Sequence, residues 1–334
     1  MGLKSLMINA DQLKYIDILS SRDLKQLQSL VSGYQLLFID EGQRIPEIGM
    51  NLKIIHDEIP DLKVLVTGSS SFLLSNRVAE ALTGRKKIHT LLPVSMKELA
   101  GEYNTFELNE QLNERLIYGM YPEVITTANK IEKEEYLREI TTSYLYKDIL
   151  ELETIRYPMK IRDLLKLLAY QMGSQVSIHE LGNTLKLNRE TVERYLYLLE
   201  QSFIIFPMNA FSRNPRNEVS KSVKYFFYDN GIRNMLIDNM AGLNDRNDIG
   251  ALWESFIIAE RKKKLLYEQY HVNTYFWRTY SGAELDFVEE KNNELTAFEI
   301  KYKKPRTKAP KAWADNYGTA YHCITRENYL EFVV

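Results

Sequence analysis

The chain has 334 residues, enough for about two domains with sizeable cores. Its 43 Lys and Arg against 45 Asp and Glu give a formal net charge of −2, so it is no polycation, and any contact with nucleic acid must come from local basic patches. A single cysteine, Cys323, excludes an internal disulfide and a cysteine zinc cluster and suits a reducing cytoplasm, while no apolar run approaches the ~18 residues of a membrane span.

Residues 1–95 alternate strands and helices. Leu6–Asn9 reads as a short strand, and Ser21–Val31 has helical spacing, with Leu24, Leu27 and Leu30 on one face. Leu36–Ile39 is an apolar run ending at Asp40-Glu41, the pattern of a buried strand with carboxylates at its tip. Leu52–Glu58 reads as a helix that stops before Pro60. Leu62–Thr67 is a second buried strand, leading into Gly68-Ser69-Ser70-Ser71, and Ile88–Leu92 a third. Strands this apolar, separated by helices, predict an α/β fold with a parallel sheet covered on both faces.

Residues 96–157 are rich in Glu, Lys, Leu and Tyr and read as helical, interrupted at Tyr121-Pro122. In residues 158–245, Ile161–Met172 is amphipathic and Gly173 ends it. Ile178–Leu185 is a short helix, and Asn188 caps a third, Glu190–Gln201. The strands Phe203–Met208 and Val223–Tyr228 follow, joined by a polar turn. Three helices and a hairpin in this order predict a helix-turn-helix unit with a wing. Its exposed Arg189, Thr191 and Arg194 are candidate DNA contacts, with Arg213, Arg216, Lys221 and Lys224 supplied by the wing.

Residues 246–334 change character again. Leu252–Leu266 is a long helix, and Asn273–Arg278, Glu284–Glu289 and Leu295–Tyr302 are strands. Glu299 and Lys301 lie two apart and so share a strand face, with Asp286 on the preceding strand and Glu254 on the helix before it. Two carboxylates and a lysine across a hairpin, with a helical Glu, resemble the arrangement of the PD-(D/E)xK nuclease fold. There, Asp286 and Glu299 would hold Mg²⁺, with Lys301 and Glu254 as catalytic candidates. Glu284 is either a second acid at the site or a strand-end ion pair. A basic run with no acid follows, including Lys303, Lys304, Arg306, Lys308 and Lys311, and suits a phosphate backbone.

The blocks YQLLFIDEGQRIPEIG (34–49), VLVTGSSSFLL (64–74) and ALTGRK (81–86) occur in one order with LWESFIIAE (252–260), FWRTYSGAELDFV (276–288) and FEIKYKK (298–304). Together they resemble prokaryotic AAA-type P-loop ATPases with an uncharacterised C-terminal region. The resemblance implies four parts: an ATPase core over 1–95, a helical lid or connector over 96–157, a winged helix over 158–245, and a restriction-endonuclease-like domain over 246–334. It also implies a Walker B motif, with Asp40 holding Mg²⁺ and Glu41 polarising the attacking water. Thr67 and Ser69 then stand at the polar sensor, and Arg85 where an arginine finger would reach the nucleotide. The Walker A pattern G-x-x-x-x-G-K-[ST] is absent from residues 1–34, so the chain resembles a truncated member, in which ATP binding requires that the phosphate loop be supplied. A strand expected beside Leu62–Thr67 is missing with it. The open edge predicts self-association or a partner chain there. The activity expected is that of an AAA-type ATPase acting on or binding DNA, with a non-catalytic scaffold or an ATP-independent Mg²⁺ nuclease as alternatives.

Overall fold

Why the N-terminal region folds as it does is clearest from its central strand. The computed structural model describes residues 2–68, 82–144, 157–213, 216, 221–318 and 320–334. The described residues form two compact units, the first up to Leu91 and the second from Leu92 onward. The first contains β1 (Ser5–Asn9), α1 (Leu13–Leu19), α2 (Leu24–Val31), β2 (Leu36–Asp40), α3 (Ile48–Glu58) and β3 (Lys63–Val66). The strands form one parallel sheet in the order β1-β2-β3. Ile8, Leu37 and Ile39 point to one face and bury against Leu19, Leu27, Val31, Leu52 and Ile55 of the three helices. Asp23 caps α2 by accepting from the Lys25 and Gln26 amides.

The expectation of a sheet covered on both faces is corrected here. Met7, Phe38 and Leu65 lie in register on the opposite face, and Met7 and Leu65 are 70% and 51% exposed. Nor is Ile88–Leu92 a strand: it is irregular, with Ile88 and Leu91 exposed. An apolar run becomes a strand only where a neighbour accepts its hydrogen bonds, and among the described residues β3 is the last strand of this sheet.

The second unit begins with α4 (Met96–Leu99), α5 (Thr105–Tyr118), α6 (Pro122–Thr126) and α7 (Lys130–Glu139), which runs into a π-helical turn over Ile140–Tyr144. Capping boxes start α4 and α5, and Pro122 opens α6 at a position where no amide is needed. Then come α8 (Pro158–Tyr170), β4 (Gln175–Val176), α9 (Ile178–Leu185), α10 (Arg189–Gln201), β5 (Ile205–Phe211), β6 (Val223–Phe227) and α11 (Asn230–Leu236). The chain ends with α12 (Ile249–Tyr267), β7 (Asn273–Arg278), β8 (Glu284–Lys291), β9 (Glu294–Ile300), α13 (Lys311–Tyr317), β10 (Tyr321–Ile324) and α14 (Tyr329–Val333).

Among the described residues the strands of this unit make one seven-stranded sheet, β10-β9-β8-β7-β5-β6-β4. The expected boundary at 245/246 falls within the unit, and the sheet runs across it, because β5 pairs in parallel with β7 through Asn209–Tyr275, Ala210–Phe276 and Phe211–Trp277. Val288 and Ala297 pack with Trp277, Leu285 and Trp313 on one face of the sheet. Phe287 and Phe298 meet Phe332 of α14 on the other. Trp253 of α12 stacks on Phe256 and meets Tyr302 and Tyr329 edge-on. α12 is thereby fixed over the C-terminal strands, and the functional side chains of both are held in place.

Candidate functional site

The register of β8 and β9 brings two acids together. Phe287 pairs with Phe298, so one antiparallel step further Asp286 faces Glu299, on the sheet face that carries Val288 and Ala297. Like charges directly opposite repel. Lys301, just beyond β9, resolves the conflict. Its Nζ lies 3.3 Å from Asp286 Oδ2 and 2.9 Å from Glu299 Oε1. Asp286 Oδ2 also accepts the Ile300 amide at 2.7 Å, and Arg306 Nη1 lies 3.1 Å from Glu299 Oε1. Above them is a cavity of about 470 Å³, with Glu284, Asp286 and Glu299 among its acidic lining and Lys301, Arg306 and Lys308 as its cations.

Burial raises the Glu299 carboxyl above its usual range, and the neighbouring Asp286 charge adds to this; Lys301 and Arg306 only partly offset both. Burial works against the charge on Lys301, but Asp286 and Glu299 outweigh it and hold the ammonium protonated more firmly than in water.

Glu254 on α12 adjoins this group through a second cation. Lys224 Nζ lies 3.4 Å from Glu254 Oε1 and 2.7 Å from Glu284 Oε1. Lys224 is therefore no DNA contact of the wing, as its place in the sequence suggested. It is 2% exposed and turned into the protein. Sequence reasoning missed this role. The available signal was a lysine flanked by Val223 and Tyr225-Phe226-Phe227 in a strand with no other charged residue. Glu284 takes both of the roles considered for it, as an acid lining the cavity and a strand-end ion pair.

Burial pushes the Glu254 carboxyl up to about 7, with Asp286 and Glu284 contributing and Lys224 opposing. An acid raised in the folded state contributes stability present below its ordinary range near 4.5 and lost as pH rises through about 7. Between about pH 5 and 8 this group alone should reduce stability by on the order of 3 kcal/mol. In Glu254→Gln that decline is expected to vanish, as urea unfolding at the two pH values would show.

In the first unit, Asp40 ends the central strand β2, and Thr67 Oγ1 donates to Asp40 Oδ1 at 2.6 Å. Glu41 adopts left-handed backbone (φ 57°) and accepts from Gln43 Nε2 at 2.5 Å. Non-glycine residues hold that conformation where the surroundings impose it. Arg44 ion-pairs with Asp11 and lies 3.9 Å from Glu41. Arg85 pairs with Asp57 at 3.0 Å, near the end of α3. Ser69 lies outside the described residues. The structure thus joins Asp40 with Thr67 and gives Arg85 a different carboxylate partner.

The other candidate nucleic-acid residues are spread along the second unit: Arg189, Arg194, Arg213, Arg216, Lys221, Lys303 and Lys304 are exposed, and Thr191 is half-buried. Arg189 pairs with Glu193 within α10, and Arg213 with Glu290 of β8. Arg194 is on α10 and Arg216 between β5 and β6, while Lys303 and Lys304 follow Lys301, with Lys303 over the Tyr302 ring.

Residues 2–100 match the AAA domain family, 109–245 a domain of unknown function (DUF8612), and 249–328 another (DUF4143). The chain is therefore similar to AAA-type, ATPase-like domains over its first hundred residues and to two domains of unknown function over the rest. An uncharacterised protein of Methanocaldococcus jannaschii is 26% identical over 292 residues, covering 82% of this chain and 63% of the relative. One from Mycobacterium tuberculosis is 28% identical over 280 residues, covering 82% and 59%. One from Haemophilus influenzae is 25% identical over 314 residues, covering 90% and 75%. The chain thus spans about six-tenths of the length of the first two. No solved structure matches it. Among the described residues no helix is long and apolar enough to cross a membrane.

Do the residues fit a divalent cation? Among the described residues, no group of three or more His, Cys, Asp or Glu could hold a metal. A Mg²⁺ site needs less than that, since one or two carboxylates with waters and substrate phosphate suffice. Glu299 Oε2 is buried with no hydrogen-bond partner. An orphaned carboxylate oxygen beside a second acid fits a cation bound at Asp286 and Glu299.

Proposed function

We propose that the chain is an AAA-type ATPase-family protein that acts on DNA, with its C-terminal domain a Mg²⁺-dependent phosphodiesterase. The observation that carries this reading is the Asp286–Glu299 pair bridged by Lys301 beneath a cavity with cationic residues in its lining. Asp286 and Glu299 would hold the cation. When bound, it would polarise a phosphate oxygen and activate water. Lys301 would neutralise charge on the phosphate. Glu254, with its carboxyl near 7, is suited to accept a proton at neutral pH. Arg306, Lys303 and Lys304 would line the path of the backbone. The order α8-β4-α9-α10-β5-β6 supports a winged helix, in which Arg189, Arg194, Arg213 and Arg216 would contact phosphates.

The Asp40–Thr67 pair supports a Walker B role, with ATP and Mg²⁺ as its ligands. Residues 1–34 supply no phosphate cradle, so no phosphoryl-transfer step is assigned to them. The edge strand β3, with Leu65 exposed, supports the expected docking of another polypeptide segment or a second copy. A non-catalytic reading has one observation in its favour: Lys224, Lys301 and Arg306 already neutralise much of the acidic cluster.

The test is incubation of the purified chain with supercoiled and branched DNA, with and without Mg²⁺. Nicking only with Mg²⁺ is expected. Salt-sensitive binding without cleavage would favour the non-catalytic reading, and neither binding nor cleavage would remove the role on DNA.

A further inference from the structure

The acidic cluster has two seats for a cation, and they differ in one respect. Lys301 fills the seat between Asp286 and Glu299 from outside. Its side chain is 40% exposed and follows the end of β9. It can swing into solvent and leave the two carboxylates to another cation. Lys224 fills the seat between Glu254 and Glu284 from within. It is 2% exposed, its backbone pairs with Met208 of β5 on one side and Gln175 of β4 on the other, and its ammonium lies 5.1 Å from the Phe276 ring centroid. With its backbone paired on both sides and its side chain buried, Lys224 cannot swing away as Lys301 can, and this cation stays with the two acids.

We infer that Lys224 is a built-in cation that occupies the place of a second divalent ion, so that the site takes one metal per chain. The inference rests on the metal-binding reading of Asp286 and Glu299 given above. Two carboxylates converge on one point at Lys224 Nζ, and two carboxylates with water are enough to hold Mg²⁺ or Mn²⁺. Removing the ammonium would leave Glu254 facing Glu284, whose other cation, Arg278, lies 4.0 Å from its second oxygen, and a divalent ion would relieve the repulsion between the two acids. Lys224 is a positioning residue: it holds Glu254 beside Asp286 and fixes the number of ions. The hairpin that follows α10 thereby contributes one of the charges of the C-terminal site.

The test is a calorimetric titration with Mn²⁺ alone at about pH 8, above the Glu254 range, on the full chain. Wild type is expected to bind one ion, Lys224→Arg one, and Lys224→Met two, with Mn²⁺ raising the melting temperature more in Lys224→Met than in wild type. Two ions in wild type, or one in a folded Lys224→Met, would overturn the inference and leave the metal site at Asp286 and Glu299 standing. No binding by wild type would overturn both. Circular dichroism decides whether Lys224→Met folds. If it does not, Glu254→Gln/Glu284→Gln provides the check: it should still bind one ion, and loss of binding would mean that these acids, and not Lys224 alone, serve the metal.

Discussion

Asp286→Asn is expected to lower Mg²⁺-dependent DNA cleavage by about a thousandfold, the scale of losing one preorganised electrostatic group. The amide keeps the size of the carboxylate and can still accept the Ile300 amide that now bonds to Asp286 Oδ2. The fold should therefore survive, and thermal melting should show it. What disappears is half of the charge pair on which the cation and Lys301 converge. Glu299 should respond too, because Asp286 helps to raise its carboxyl, which would move back toward its ordinary range. Glu299→Gln is expected to lose as much activity, and the double variant little more, since the two acids act as one unit. Cleavage that persists in Asp286→Asn at the wild-type rate would show that the activity lies elsewhere.

Gly231→Ala is expected to destabilise the second unit by about 3 kcal/mol or more. Gly231 lies in the first turn of α11, and an added methyl group would overlap the main-chain carbonyl oxygen of Tyr118. That carbonyl belongs to the end of α5 and cannot turn aside as a side chain would. The contact is fixed from both ends. Asp229 caps α11 and also accepts the Met120 amide at 2.6 Å, while Asn234 donates to the Leu116 and Ile117 carbonyls at 3.1 and 2.8 Å. Gly119, at φ 80°, leaves room for the Asp229 carboxylate in the same junction. For a unit of this size the loss corresponds to a fall in melting temperature of roughly 10 °C. A melt unchanged within error would mean that α5 and α11 do not approach this closely.

Much of the candidate site was readable along the chain because it is local in sequence. Glu299 and Lys301 are two residues apart, and the strand period alone puts them on one face. Asp286 is joined to them by a single hairpin, so its register was nearly determined once both strands were recognised. Asp40-Glu41 was legible for a similar reason, as carboxylates at the end of an apolar strand. Lys224 was not. It is 30 residues from Glu254 and 60 from Glu284, and only the parallel pairing of β5 with β7 carries its strand into the C-terminal sheet. Ile88–Leu92 failed for the opposite reason: its composition suits a strand, but strands are made by partners.

The order of apolar and charged residues was by itself enough to establish the α/β character, the strand-tip carboxylates and the E-x-K pair, because periods of 2 and 3.6 are properties of one segment. Which acids share which cation was decided only in three dimensions. Ion pairing depends on distances across the sheet, and a buried lysine is drawn to whichever carboxylates the strand order sets within about 3 Å of its ammonium.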